Sequence, residues 1–250
     1  AGANLRYVNL NQSNLENAKL KDADLSSADL NNAYLSNADL TSASLNYANM
    51  RDATIAFGNM AVSARYANLT GSILTYSNLE GAMLKDSDLT DVSLRYTKLS
   101  GADFSSSDLT DADLRYAEGN SVVFSSAKLV DSRFEYSYFT YSDFRGANLH
   151  SASIKYSTFL NGDFGDANLS DAVIQYTDLT GSDFSNADMS NANLHASIMV
   201  KTVMNYTNLT GAWMMYVDLT RASIFYGIMV DTELQYAELS YAIIFSSNVK

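Results

Sequence analysis

The sequence predicts an all-β solenoid assembled from five-residue units, and three observations carry that reading. Large apolar residues recur at every fifth position, as in KDADLSSADLNNAYLSNADL with Leu25, Leu30, Leu35 and Leu40. Five matches neither the 3.6 period of a helix nor the 2 of a strand, and apolar residues five apart spiral round a helix without forming a stripe. Two residues before each of these centres stands a small residue, Ala, Ser, Thr, Val or Gly, in all 50 units, never a large or charged one. The third observation is self-similarity over the whole length, the mark of a stacked architecture in which each unit buries its apolar face only against its neighbours.

Each unit therefore has two inward positions, one wide and one narrow. Their alternation is strand-like, and the remaining residues must turn a corner. The wide positions run from Leu5 to Met60 and, after a slip of one residue, from Ala64 to Val249. They comprise 27 Leu, 8 Phe, 7 Met and 5 Ile, so the interior is a continuous hydrocarbon column. One repeat domain is expected over 1–250, with the register slip at 60–64 producing a tightened corner or a dent. A second irregularity is Gly119, which leaves a wide position empty for Phe139 to cover.

The small-polar-Leu-x-x pattern of ADLSS, ADLNN, ANLTG and ADFSS resembles the pentapeptide-repeat family over residues 1–250. The resemblance implies a right-handed quadrilateral β-helix, four units forming one square coil of 20 residues. At the ~4.8 Å spacing of neighbouring strands, about 12.5 coils make a rod roughly 60 Å long. AGANL and SSNVK both read as full units, so no capping helix is expected at either end.

The 20-residue coil has an independent check in the sequence, because stacked positions should make like choices. Tyr76, Tyr96, Tyr116, Tyr136, Tyr156, Tyr176, Tyr216 and Tyr236 share one column, broken at Ala196, with Phe57 continuing it towards the N-terminus. The neighbouring corner reads Asp91, Asp111, Asp131, Ser151, Asp171, Asn191, Gly211 and Asp231. The tyrosine side also carries Arg95, Arg115, Arg133, Lys155 and His195, while the other sides place Asp ahead of their centres.

Composition excludes several functions. A net charge of −12 argues against direct contact with nucleic acid or an anionic membrane, and leaves a protein partner with a basic groove as an acceptable one. No apolar run approaches the ~18 residues of a spanning helix, so no membrane insertion is expected. With no Cys there are no disulfides or thiolate sites, and with no Pro every backbone N–H is available to a ladder. His150 and His195 fall on different sides, no phosphate loop or metal motif is present, and an enzyme, a cofactor or a metal is not expected. The Asp column has two readings, Ca²⁺ held between coils or Asx-turn chemistry, and its free exchange with Asn, Ser and Gly favours the turn. No regular Thr or carboxylate array forms an ice- or cation-binding surface.

Two interaction functions follow. Matching ends suit a structural rod that stacks end to end with copies of itself into a filament, a heterologous contact that does not close. Lateral contacts would use the tyrosine column and outward apolar residues concentrated late in the chain, Ile198, Val200, Trp213, Met215, Phe225, Ile228, Val230, Ile243 and Phe245. The family resemblance implies a second function, mimicry of duplex DNA by an acidic rod that binds DNA gyrase. About 60 Å of duplex carries roughly 35 charges, far more than this chain, so self-association is the leading expectation. An extracellular or cell-surface setting is favoured over the cytoplasm.

Overall fold

A computed structural model describes residues 2–56, 58–245 and 248–249. The chain winds into a right-handed quadrilateral β-helix. Residue i bridges residue i + 20 in parallel along almost the whole length, for example Asp88 with Asp108 and Asp113 with Arg133. Four sides follow one another: side I through Leu89 and Leu109, side II through Leu94 and Leu114, side III through Leu99 and Phe139, side IV through Phe104 and Phe144. Most sides are single bridges. They lengthen into strands at β1 (Glu118–Asn120), β2 (Tyr138–Thr140) and β3 (Thr158–Leu160) on side III. Near the C-terminus β4 (Ser223–Phe225) pairs with β6 (Ile243–Phe245), and β5 (Ile228–Met229) with β7 (Asn248–Val249).

The unit around Leu89 shows why five residues suffice. The N–H of Asp88 donates to Ala67 O in the coil before (3.0 Å), and those of Leu89 and Asp91 donate to Asp108 O (2.7 Å) and Thr110 O (3.0 Å) in the coil after. Val92 N–H closes the turn on Leu89 O at 3.1 Å. The fifth amide, Thr90, faces outward with no carbonyl in reach, and the Asp88 carboxylate accepts it at 3.1 Å. Every backbone donor in the unit is paired, as a buried backbone requires. The same Asx contact recurs at Asp24, Asp39, Asp108, Asp143, Asp178 and Asp218.

Among the described residues each four-residue turn puts its third residue at positive φ, Asp91 at 57° and Tyr96 at 58° among them. Inside, the wide residues are fully buried from Leu25 to Met229. Phe104, Phe124, Phe144, Phe164 and Phe184 stack up side IV at centroid separations of 4.7–5.2 Å, and Phe134 and Phe139 meet Phe124 edge-on. Serines at narrow positions satisfy themselves between coils. The Ser107 hydroxyl donates to Leu84 O at 2.6 Å and accepts Ser87 N–H at 3.2 Å.

The slip shortens one corner. Val62 N–H closes on Met60 O at 2.7 Å, a three-residue turn in place of the usual four, and the four bridges crossing it, such as Ser44 with Ser63, span 19 residues. At Gly119 the expected vacancy does not exist: a Cβ there would lie 2.4 Å from Val122 Cγ2. The neighbouring narrow residue, a Val, fills the space, and Phe139 packs with Phe124, Phe134 and Phe159 instead. Phe57 and most of the closing SSNVK unit lie outside the described residues.

The Asx carboxylates make the fold acid-sensitive. Hydrogen bonds from the side chain two residues on, and from that residue's amide, hold Asp24, Asp39, Asp143 and Glu238 below the usual carboxylate range. A depressed folded-state pKa stabilises above the unfolded value near ~4 and is lost as pH falls through the folded value. Circular-dichroism melts should therefore show a Tm that is level above about pH 5 and falls below about pH 4. Asp39→Asn keeps the Oδ1 acceptor and should flatten that fall without lowering the neutral-pH Tm.

Candidate interaction surfaces

The tyrosine column is one continuous ladder. Tyr76, Tyr96, Tyr116, Tyr136, Tyr156 and Tyr176 stack with centroids 4.6–5.3 Å apart and planes within 10°. The break at residue 196 is filled from the side. The His195 imidazole stands edge-on between Tyr176 (5.6 Å, 80°) and Tyr216 (5.5 Å, 81°), and Tyr216 stacks on Tyr236 at 4.9 Å. Because ring faces are spent on one another, the ladder offers only phenol edges to a partner. Tyr96 and Tyr116 are accordingly less than two-fifths exposed.

Arg95 and Arg115, beside the ladder, are engaged. Arg115 forks onto Asp113 at 2.8 and 2.6 Å, Arg95 reaches the same carboxylate at 3.9 Å, and the Arg95 guanidinium lies 5.5 Å from the Tyr96 ring centre. Arg133 and Lys155 lie on the same side, one coil apart. The fork raises the Arg115 pKa well beyond its ordinary value, and one carboxylate, that of Asp113, answers both Arg95 and Arg115.

The Asp column is corrected in its chemistry. Asp91, Asp111, Asp131 and Asp171 occupy the left-handed turn position, where Asp and Asn are the residues that tolerate positive φ. The Asx acceptors are instead the residues ahead of the centres. The column side chains lean onto the next coil: a Cβ on Gly211 would meet Asn191 Oδ1 at 2.6 Å, so Gly fits there beneath Asn. Among the described residues no group of three His, Asp or Glu could hold a metal ion. His150, however, reaches a serine that sequence reasoning did not pair with it. Its Nδ1 lies 3.0 Å from Ser170 Oγ and 3.6 Å from Asp171 Oδ2. One ring nitrogen faces both groups, so no relay through the imidazole is formed. Two shallow depressions, about 220 and 490 Å³, lie beside Tyr66 and Tyr76.

The late apolar residues do not share one surface. Trp213 and Met215 stand on side II, Ile198 and Val200 on side III, Phe225, Ile243 and Phe245 on side IV, and Ile228 and Val230 on side I. Successive outward positions turn successive corners, so closeness in sequence makes a girdle, not a patch. The contiguous part surrounds the corner between sides IV and I. There Tyr206 stacks on Tyr226 at 5.2 Å, and Tyr226 meets Phe245 edge-on at 6.1 Å. The 20-residue spacing of Tyr206 and Tyr226 was the signal for this corner. Wide residues that are sealed elsewhere also emerge at the last coil, Leu239 at 41% and Ile244 at 39% exposure.

A family model described as pentapeptide repeats matches eight copies within residues 1–36, 18–55, 62–91, 87–118, 120–155, 163–199 and 182–221. The chain is similar to the crystal structure of HetL, a pentapeptide repeat protein involved in heterocyst differentiation regulation from the cyanobacterium Nostoc sp. strain PCC 7120. Identity there is 25%, coverage 95% of this chain and 90% of that one, TM-score 0.48. A trypsin-treated variant of QnrB1, a plasmid-mediated fluoroquinolone resistance protein, is 15% identical over 84% of this chain and 91% of that one, TM-score 0.43. A protein of the Arabidopsis thaliana thylakoid lumen is 22% identical over 46% and 70%, TM-score 0.22. No curated protein sequence matches.

The ladder can be tested on its own. Tyr116→Ala removes two stacked pairs and should lower unfolding free energy by about 1–3 kcal/mol in urea titration. Tyr236→Ala, at the end of the column with one stacked neighbour, should cost about half as much.

Proposed function

Because the chain belongs to the pentapeptide-repeat family, we propose that it works as an interaction rod that self-associates end to end, with lateral contacts between rods. One observation carries the reading. Every internal coil presents the same two edges: towards the coil before it each side offers one N–H and two carbonyls, as at Asp88, and towards the coil after it two N–H groups and one carbonyl, as at Leu89 and Asp91. Donors and acceptors match only when the front of one rod meets the back of another. The half-exposed Leu239 and Ile244 would be sealed by the same contact, as every internal coil seals its neighbour.

Negative-stain electron microscopy across a dilution series should show filaments lengthening with concentration. Leu239→Glu, placed in the exposed coil edge, should abolish them while leaving the far-UV circular dichroism unchanged. A wild-type chain that stays a single rod at the highest concentration refutes the proposal.

A second reading is favoured by the acidic edge, where Asp91, Asp111, Asp131 and Asp171 follow one another along the Asp corner, flanked by Asp88 and Asp108. That edge suits the basic groove of a DNA-handling enzyme such as gyrase. Of the six, Asp108 is tied to Lys128 at 3.1 Å and Asp171 lies 3.6 Å from His150 Nδ1, while the other four have no basic partner among the described residues. In a gyrase supercoiling assay the reading requires a concentration-dependent change that Asp91→Lys with Asp111→Lys removes; an unaffected assay dismisses it.

A further inference from the structure

We propose that side III is a two-fold interface on which a second copy of this chain docks antiparallel, centred on Tyr138; the inference names the lateral contact of the self-association reading and rests on it. In the middle of side III, β1, β2 and β3 lie side by side as a three-stranded sheet. It is also rich in tyrosine. Tyr138 stands half exposed on β2, with Tyr136 and Tyr141 at the two corners of the same coil and Tyr156 one coil on. Tyrosines of this kind, apolar in body and polar at the tip, suit interfaces that are assembled from water.

The charges around this centre decide the occupant. Lys98 lies two coils below Tyr138 and Asp178 two coils above it, in the same outward lane. No carboxylate lies within ion-pair distance of Lys98 among the described residues, although the chain carries 28 acids. Asp178 commits Oδ1 to the Thr180 amide and hydroxyl, at 3.0 and 2.7 Å, and has no cation. A two-fold axis through Tyr138, perpendicular to the rod and lying in the interface, maps Lys98 onto Asp178 of the second copy and Asp178 onto its Lys98. It also sets Glu118 opposite Thr158 and Asn120 opposite Leu160, so no like charges meet. Along the corner the same axis sets Tyr116 against Tyr156 and Tyr96 against Tyr176, edge to edge, the only approach their stacking leaves open.

A surface that complements itself under one rotation specifies its own copy as partner, since a two-fold interface must be self-complementary residue by residue. The ion pairs supply register and the tyrosines contact area, because rim charges set specificity more than affinity. Parallel docking in register would instead put Lys98 on Lys98.

Zero-length carbodiimide cross-linking followed by peptide mass spectrometry tests this on the unmodified protein. Lys98 and Asp178 of one chain are four coils, ~19 Å, apart, too far for direct amide formation, so a Lys98–Asp178 link can only join two copies. The expected result is that link in a dimer band; Lys98→Asp, which sets Asp against Asp, should reduce the dimer population at least about tenfold, and combining it with Asp178→Lys should restore both the dimer and a link between positions 98 and 178. The link should survive Leu239→Glu, which acts on the ends. Filaments without the link overturn the side III interface and leave end-to-end stacking standing. A chain that is monomeric throughout overturns both.

Discussion

The structure depends on one constraint: five backbone N–H groups per unit must each find an acceptor. Three are answered by neighbouring coils and one by the turn. The last faces outward, and it is answered from the side chain ahead of the centre. That single requirement explains why Asp and Asn crowd the position before the large residue, and why the chain contains no Pro. It also explains why coils can stack without a helix or long strand to hold them. Most sides are one bridge long, yet the ladder is complete, because the carboxylate supplies what a strand partner would.

Most of the architecture was legible in the residues. The wide and narrow positions are set by volume, and volume shows directly in a sequence: Leu or Phe against Ala or Ser, 50 times over. The tyrosine column gave the coil length, since stacked positions share an environment. What stayed hidden was whatever depends on side-chain direction. Val122 turning into the space at Gly119, and the His195 ring entering the tyrosine ladder beside Ala196, are rotamer choices with no periodic signature. The Asp corner was assigned to hydrogen bonding when its residues are there for their backbone conformation. Spacing locates a corner but does not say which of its groups faces the amide.

The late apolar residues teach the same lesson at larger scale. Within a solenoid, nearness along the chain and nearness on the surface are different metrics. Trp213 and Phe225 are 12 residues apart and lie on opposite sides, whereas Tyr206 and Tyr226 are 20 apart and stack at 5.2 Å. Surfaces on such a rod are read along columns. Axial contacts then belong to the backbone, which every coil presents alike, and lateral contacts belong to side chains, which differ from coil to coil. The two kinds of association are separable for that reason.

The tyrosines themselves indicate that the lateral surface matters. Fifteen of the 17 sit at positive φ. For a bulky residue that conformation is an outlier, costing about 1–2 kcal/mol, and Gly, Asn or Asp would occupy the turn with less strain. For the tyrosines that stack, all but Tyr7, Tyr141 and Tyr241 of these, the contact returns about 0.5–1.5 kcal/mol per pair, and a ladder has roughly one pair per ring. Strain and stacking therefore nearly cancel. The turn does not require tyrosine, and the fold gains little net stability from it. What remains is a straight row of phenol edges at the coil spacing, rigid because the inner rings, Tyr96 to Tyr156, are held on both faces. Such a row matches a surface of the same periodicity, and the side of a second rod, the partner proposed above, has that periodicity.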